Sequence, residues 1–395
     1  MPLNSYITLG RSGLRVSPFC LGAMTFGEGF GFGSSVEDSQ QILDRYLELG
    51  GNFIDTANMY TRGHSEKIIG DHLGRHPAKR DRAVIATKFF GNLYASDPNG
   101  GGAGRKSIVA ACEQSLRRLQ TDYIDLYWMH CWDKHTPIDE TMAALDDLVR
   151  SGKVRYLGFS DTPAWKVTEA QMIARFKSLT PLIALQIEYS LIERSVEGEL
   201  IPMALDMGLG VTPWSPLKSG LLSGKYTREN AGVKTDRSGW FKSSLTEKTY
   251  GILDELHKLA KEVDSTPARV ALAWVQDRPG VTSTILGAHG SAARGQRRGA
   301  GRQAHEGARR LARRALEADA EFPGRLPLAR RIVHAPRPHG ERRRGRALTD
   351  DAEERQRAAL VPPARSLIMI GWLPGRSQGG READAGFGAQ PNETG

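Results

Sequence analysis

Four polar residues have side chains whose chemistry together suits proton transfer to a carbonyl oxygen: Asp55, Tyr60, Lys88 and His130. Tyr60 can donate the proton, but a phenol titrates near pH ~10 and needs a neighbouring cation to stabilise its anion. Lys88 supplies that cation, and Asp55 can keep it charged and oriented. His130 can hydrogen-bond the substrate oxygen and fix its approach. Taken singly, these residues have ordinary alternative roles: Asp55 as a helix cap, Lys88 as a solvated residue at a strand end and His130 as a structural histidine.

These side chains meet only if the strands that precede them lie side by side. Eight short apolar runs alternate with amphipathic stretches, a pattern typical of a parallel sheet. The predicted strands are residues 20–23, 53–54, 83–87, 124–129, 154–159, 184–187, 210–213 and 281–286, and the predicted helices include residues 36–49, 106–119, 137–150, 163–176 and 197–207. Eight strands in series favour a (β/α)8 barrel over an open sheet, and strand C-termini form its active face. Residues 6–9 and 14–19, joined by residues 10–13, predict a hairpin that plugs the barrel bottom.

Length and composition fit one barrel with additional sequence. The chain has 395 residues and is 39% hydrophobic, whereas such barrels commonly need ~250 residues. Neither a signal peptide nor an apolar run long enough for a membrane span is visible, which predicts a cytoplasmic protein without a membrane partner. Cys20, Cys112 and Cys131 lack metal-site spacing, so we expect reduced thiols and no metal. Cys131 adjoins His130 and is either a redox-sensitive thiol or a packed one.

The net charge of +9 comes entirely from the C-terminal part of the chain. Residues 288–395 contain 21 Arg, no Lys and 12 acidic residues, and residues 1–287 are therefore neutral overall. A neutral barrel gives no electrostatic reason to expect nucleic acid as a partner.

The motifs around the four residues resemble those of the aldo-keto reductase superfamily. The motifs are residues 51–60, 85–88 and 125–130, and the resemblance covers about residues 5–287. It implies a tetrad of Asp55, Tyr60, Lys88 and His130 that reduces aldehydes or ketones to alcohols with NADP(H), reversibly. Residues 130–133 and 160–165 are similar to the aryl-alcohol dehydrogenase-like branch. An aromatic aldehyde is therefore one candidate substrate, and a homo-oligomer is left open.

The resemblance also implies a set of cofactor-binding residues. No G-x-G-x-x-G follows a strand, and residues 219–226 fail as a phosphate loop because their glycine spacing is short and Tyr226 replaces the Ser or Thr that binds magnesium. In the family this stretch covers the pyrophosphate, and Trp214 would stack on the nicotinamide. The full set of implied residues is Ser160, Asp161, Gln186, Trp214, Ser215, Pro216, Leu217, Gly220, Lys225, Arg237 and Gly287.

Two parts of this set carry alternatives. Many relatives have Asn where Asp161 stands, and an ionised Asp accepts from the carboxamide NH2 but cannot donate to its carbonyl. Asp161 can also serve only as a helix cap before Pro163. A substrate wall of apolar and aromatic side chains is predicted, and the alternative for each is ordinary packing. Its members are Phe26, Met59, Tyr94 and Trp132.

The barrel pattern ends at residue 287, which predicts a domain of residues 1–287 and an Arg-, Gly- and Pro-rich tail of residues 288–395 in place of the last barrel helix. The tail is either a disordered basic appendage or the product of a shifted reading frame. The shifted frame is favoured. A DNA sequence that encodes residues 289–305 can be written which, when read one base later, encodes a segment similar to that of the family, with its Gln-Leu, Asn and Ala-Leu pattern. Loss of the family's C-terminal segment would weaken binding of the adenosine 2′-phosphate of the cofactor.

The alternative to an enzyme is thus a slow or inactive cofactor-binding regulator, similar to reductase-fold potassium-channel subunits. A poorly folding product is a third alternative.

Overall fold

The computed structural model describes residues 1–94, 96–230 and 244–287. Its strands are β1 (Ile7–Thr8), β2 (Arg15–Val16), β3 (Phe19–Gly22), β4 (Phe53–Asp55), β5 (Val84–Phe89), β6 (Ile124–Met129), β7 (Val154–Ser160), β8 (Leu182–Glu188), β9 (Gly210–Trp214) and β10 (Thr284–Gly287). From β3 to β9 every strand pairs in parallel with the next, and β10 pairs with β3. The predicted (β/α)8 barrel is confirmed.

The barrel closes between β9 and the residues just before β10. Val211 donates its backbone N–H to Gly280 O at 3.0 Å and accepts from Thr282 N at 2.8 Å. The last strand was predicted to begin at residue 281, which is wrong: Val281 forms an isolated bridge with Val211, and the continuous strand begins at Thr284. Gly280, at φ 80°, turns the chain immediately before this bridge.

Helices cover the outside of the barrel. They are α1 (Val36–Glu48), α2 (His64–Ile69), α3 (Pro77–Arg80), α4 (Arg105–Leu119), α5 (Ile138–Arg150), α6 (Ala164–Phe176), α7 (Leu200–Met207), α8 (Glu247–Glu262) and α9 (Pro267–Gln276). A side-chain cap marks the start of α1, where Ser35 Oγ accepts from Asp38 N at 3.1 Å. The predicted helix of residues 197–207 is shorter than expected, because Ser195–Glu197 form a separate 3-10 turn.

The predicted hairpin is also confirmed, with β1 and β2 antiparallel. Leu9 and Val16 are fully buried at the inside of the barrel. Gly10 lies so close to the strand starts that a Cβ there would be 2.2 Å from Ile183 O. The hairpin therefore seals the N-terminal end of the barrel and leaves the C-terminal end for chemistry.

The core has two layers. Inside the barrel, Phe53, Leu126 and Trp128 belong to a cluster that lies beneath the polar residues of the C-terminal end. Outside it, the other faces of the strands pack against the helices. Strands buried on both faces explain why the sequence shows continuous apolar runs and not alternation. None of the helices in the described ranges is long and apolar enough to cross a membrane.

The predicted tail of residues 288–395 lies outside the described residues. The domain boundary at residue 287 and the replacement of the last barrel helix therefore stay predictions.

Candidate active site

Asp55, Lys88 and Tyr60 form a connected group at the C-terminal end of the barrel. Lys88 Nζ donates to Asp55 Oδ2, to Thr56 O at 2.9 Å and to Tyr60 Oη at 3.2 Å. Asp55 ends β4, and Tyr60 begins the 3-10 turn Tyr60–Gly63. Lys88 was predicted just beyond its strand, but β5 continues to Phe89 because Lys88 pairs with Trp128 of β6. The sequence-predicted convergence of these three side chains is thus present.

Burial and charge set the protonation states of this group. Burial alone lowers the pKa of Lys88, but the charges of Asp55 and Tyr60 and their hydrogen bonds outweigh it, so that the net pKa is raised. Burial raises the pKa of Tyr60, and the Lys88 charge only partly offsets it. At neutral pH, Lys88 is therefore a cation and Tyr60 a protonated phenol. This is the form in which a proton can be donated to a carbonyl oxygen.

His130 directly follows β6 and faces Tyr60. The two rings meet edge to face, with centroids 5.7 Å apart. Burial, together with the charge of Lys88, lowers the pKa of His130 to about 3. Its Nδ1 is buried without a hydrogen-bond partner among the described residues. A neutral imidazole with an unsatisfied nitrogen is suited to bind the oxygen of a small molecule.

Gln186 of β8 belongs to this group through its side chain. Its Nε2 donates to Asp55 Oδ1 at 3.1 Å, so both carboxylate oxygens of Asp55 are bonded. The resemblance implied that Gln186 binds the cofactor carboxamide. In the structure it fixes Asp55, and its Oε1 is left to accept another hydrogen bond.

A cavity of about 840 Å³ opens beside His130. Apolar atoms of Met59 and Phe90 form one part of its wall, and Cys131 and Asp161 form another. The remaining lining residues are Gly91, Asn92, Pro98, Asn99, Gly101, Gly102, Gly104, Ser107, Asp133, His135 and Thr136. Burial raises the pKa of Cys131 to about 11, so this thiol is protonated at neutral pH and is not an activated nucleophile.

The loop between β5 and α4 supplies much of this wall, and within it only Tyr94 was predicted from the sequence. Asp133 Oδ2 anchors the loop by accepting from Ala103 N at 2.9 Å. A Gly-, Asn- and Pro-rich stretch directly after a barrel strand was the available signal, because such βα loops build the active face of these barrels.

The four predicted substrate residues occupy different environments. Met59 lines the cavity. Phe26 is fully buried in the core and does not line it, so its predicted role is corrected to packing. Tyr94 is exposed, and Trp132 packs edge to face on Trp165 with ring centroids 5.5 Å apart. For Tyr94 and Trp132 a substrate role stays a prediction.

The residues predicted around the nicotinamide lie together at the ends of β7 and β9. Ser160 ends β7 and is buried, and Asp161 follows it with φ 40°. Trp214 Nε1 donates to Asp161 Oδ1 at 3.0 Å. The Asp161 side chain thus holds the indole instead of capping α6, whose start has no side-chain cap.

The loop after β9 has an unusual backbone. Ser215, Lys218, Ser219 and Gly220 all have positive φ, and Ser215 Oγ accepts from Ser219 N at 3.0 Å. A Cβ at Gly220 would meet no atom within 4 Å. Bare backbone therefore borders open space at this point, as close approach to a ligand requires. Lys218, which was not predicted, is paired with Glu188 at 2.8 Å.

The other predicted cofactor residues differ in their exposure. Pro216 is buried and Leu217 partly buried in this loop, whereas Lys225 is exposed. Gly287 ends β10 on the same face of the barrel. Arg237 lies outside the described residues.

Comparison with known proteins agrees with this geometry. The model of the aldo/keto reductase family matches residues 18–294. The chain is 42% identical to an uncharacterized oxidoreductase of Bacillus subtilis over 71% of this chain and 86% of the relative. It is 43% identical to an aryl-alcohol dehydrogenase of Pestalotiopsis microspora, over 69% and 72% of the two chains. It is 36% identical to a probable voltage-gated potassium channel subunit beta of rice (Oryza sativa subsp. japonica), over 72% and 87%. The family match spans most of the barrel and every member of the tetrad, and the chain belongs to the aldo/keto reductase family.

Proposed function

We propose that this protein reduces aldehydes or ketones to alcohols with NADPH, and that Tyr60 donates the proton to the carbonyl oxygen. The observation that carries the proposal is the distance of 3.2 Å between Lys88 Nζ and Tyr60 Oη, beside a neutral His130 with an unsatisfied nitrogen. Membership of an oxidoreductase family supports carbonyl chemistry in general.

Each residue of the tetrad has one task in this reaction. His130 binds the carbonyl oxygen and directs it towards Tyr60, which gives up its proton as negative charge develops on that oxygen. Lys88 stabilises the tyrosinate that remains, and Asp55 keeps Lys88 charged and in place. Because its pKa is lowered to about 3, His130 is neutral at neutral pH and does not serve as the acid; it contributes a hydrogen bond, and the proton comes from Tyr60.

The described residues fit a nicotinamide cofactor at the ends of β7 and β9. The open backbone at Gly220 would admit a pyrophosphate, with the exposed Lys225 adding positive charge. Ser160 and the free Oε1 of Gln186 would bind the carboxamide, and Trp214 would border the nicotinamide ring. The chemistry supplied by bound NADPH is a hydride for the carbonyl carbon.

An aromatic aldehyde is the proposed substrate class. Met59 and Phe90 give the cavity an apolar surface, and its volume of about 840 Å³ accommodates a substituted ring. The name of the Pestalotiopsis relative, an aryl-alcohol dehydrogenase, points to the same class.

A steady-state assay of NADPH oxidation against a panel of aromatic and aliphatic aldehydes tests the function. We expect turnover, with higher kcat/KM for the aromatic members. Binding of NADPH without turnover of any aldehyde would contradict the proposal and would favour a cofactor-binding regulator. NADH in place of NADPH tests the cofactor preference in the same assay.

A further inference from the structure

The turn that carries Tyr60 has a strained backbone that needs support from the surrounding structure. Thr61, Arg62 and Gly63 follow Tyr60 with φ of 45°, 57° and 88°, three left-handed residues in a row. For a non-glycine residue this conformation costs about 1–2 kcal/mol. Such a turn persists only where its surroundings determine it. The phenol of Tyr60 is therefore placed by contacts made elsewhere.

One set of contacts fixes the turn to the loop after β3. Thr61 Oγ1 donates to Phe26 O at 3.1 Å and accepts from Ser65 N at 3.1 Å. Ser65 Oγ lies 2.7 Å from Ala23 O and 2.8 Å from Thr56 Oγ1. These bonds hold the start of α2, but none of them reaches the strand that carries Lys88.

Glu66 connects α2 to that strand, in addition to the backbone bond from Asn58 N to Lys88 O at 3.0 Å. Its side chain is fully buried, and its Oε1 accepts from Thr87 Oγ1 at 2.5 Å. Thr87 directly precedes Lys88 in β5, and neighbouring strand residues point to opposite faces. The bond from Glu66 to Thr87 therefore lies behind the strand, on the helix side, while Lys88 Nζ reaches Tyr60 on the inner side.

Arg118 of α4 joins the same carboxylate to the strained turn. Its Nε donates to Glu66 Oε2 at 2.6 Å. Its side chain also lies against Gly63, where a Cβ would be 2.7 Å from Arg118 Cδ. One buried carboxylate thus links α2, β5 and α4 around the turn.

A buried ion pair is weak evidence for stability, because its desolvation can cancel its attraction. Its position here has a more specific consequence, because a misplacement of about 1 Å in an active site can cost about 10²-fold in rate. Resting on the proposed function, we propose that Glu66 is a positioning residue for carbonyl reduction, which through Thr87 and Arg118 fixes Tyr60 at hydrogen-bond distance from Lys88. It touches neither Tyr60 nor Lys88 and acts only through the turn and the strand.

Two substitutions with little change in shape test this role. Glu66→Gln keeps an acceptor for Thr87 but removes the charge that faces Arg118, and Thr87→Val removes the hydroxyl donor. We expect kcat to fall about ten- to a hundred-fold in each, with the KM for the aldehyde and the Kd for NADPH unchanged. Thr87→Ser keeps the hydroxyl and should restore kcat.

A readout without turnover reports the position of Tyr60 directly. In protein labelled with fluorotyrosine, the fluorine NMR signal of Tyr60 is assigned by its loss in Tyr60→Phe. We expect this signal to shift or broaden in Glu66→Gln and Thr87→Val and to return in Thr87→Ser. The measurement uses the protein without cofactor or substrate, so it remains decisive if no aldehyde is turned over and the proposed function itself fails.

Asp125→Asn is the matched control. Asp125 Oδ2 pairs with Arg80 Nη2 at 2.8 Å, and both side chains are largely buried. Asp125 lies near the N-terminal end of β6, away from the catalytic face. This variant should lose stability but keep kcat and the Tyr60 signal.

Glu66 would be a purely structural residue if Glu66→Gln behaved like Asp125→Asn, with only its unfolding midpoint lowered. If Glu66→Gln does not fold, an unchanged kcat and Tyr60 signal in Thr87→Val overturns the proposal.

Discussion

Trp214 donates its indole N–H to the carboxylate of Asp161 across 3.0 Å, although the two residues lie at the ends of strands that are not neighbours. Asp161 comes after β7 and Trp214 ends β9, so the bond spans the end of β8. Burial is the main cause that raises the pKa of Asp161 to about 6, and the Trp214 hydrogen bond opposes it. An Asn at this position could not change its charge, so Asp161 gives the chain a group that titrates beside the proposed cofactor site.

The Asp161 bond predicts a pH dependence of Trp214 fluorescence. The carboxylate is ionised above about pH 6 and accepts strongly, whereas the protonated acid below about pH 6 is a weaker acceptor. A fluorescence transition near pH 6 is expected in the protein without cofactor. Trp214→Phe should remove it, and so should Asp161→Asn, which has no proton to gain. The same transition in Asp161→Asn would assign it to another group.

The Asp55–Lys88 pair predicts a strong coupling in stability. Both side chains are buried, so Lys88→Met leaves an uncompensated carboxylate and should lower the free energy of unfolding by about 3–5 kcal/mol. The double variant Asp55→Asn with Lys88→Met removes that charge and should recover part of the loss. Urea unfolding of the two single variants and the double variant measures the coupling, and simple additivity would contradict it.

In catalysis, Lys88→Met should lower kcat more than it weakens NADPH binding. The reason is that the cation stabilises the tyrosinate that develops only as the proton leaves. Fluorescence titration with NADPH and steady-state rates separate the two effects. A raised KM for NADPH with kcat intact would make Lys88 a binding residue instead.

The convergence of Asp55, Lys88 and His130 could be predicted from the sequence because each lies at the end of a strand, where a parallel barrel brings distant residues together. Tyr60 needed the family motif in addition, because it lies in a turn whose left-handed backbone has no sequence period. The predicted substrate role of Phe26 was wrong because the sequence pattern of an aromatic residue near a strand end is the same whether the side chain faces a ligand or the core. Its burial is decided by how residues 26–34 fold back, through the Gly27 N to Ser34 O bond.

Glu66 could not be identified from the sequence for a related reason. It lies in a short helix among polar residues, and its partners Thr87 and Arg118 are 21 and 52 residues away. A single charged residue in a short amphipathic helix is usually solvated, so only the packing of α2 against α4 reveals the buried link. Long-range side-chain pairs of this kind leave no local pattern.

His130 predicts a stability that falls in acid. Its pKa in the folded protein is lowered to about 3, below the value of about 6.5 in an unfolded chain. Between these values the unfolded chain binds the additional proton, so stability decreases as the pH falls from about 6.5 towards 3, by at most about 1.4 kcal/mol per pH unit. Partial exposure of the ring reduces this slope. Denaturant unfolding at several pH values should show a weaker acid dependence in His130→Gln than in the wild type, and equal slopes would contradict the burial of a neutral imidazole.

Tyr60 predicts a loss of chemistry without a loss of binding. Among the described residues, Tyr60 is the tyrosine whose hydroxyl accepts a hydrogen bond from Lys88. Its raised pKa keeps the phenol protonated at the pH where reduction is measured. Tyr60→Phe removes one oxygen atom and should lower kcat by about 10²–10⁴-fold, the usual contribution of a positioned general acid. NADPH binding, followed by Trp fluorescence, should not change, because the phenol is needed only as the proton moves.

Tyr123→Phe is the matched control for Tyr60→Phe: Tyr123 precedes β6 at the opposite end of the barrel, and its hydroxyl lies 3.4 Å from Asp81 Oδ1. Its kcat should equal that of the wild type. A Tyr60→Phe variant with nearly normal kcat would show that another group, or water, delivers the proton, and the role of Lys88 would then have to be assigned anew.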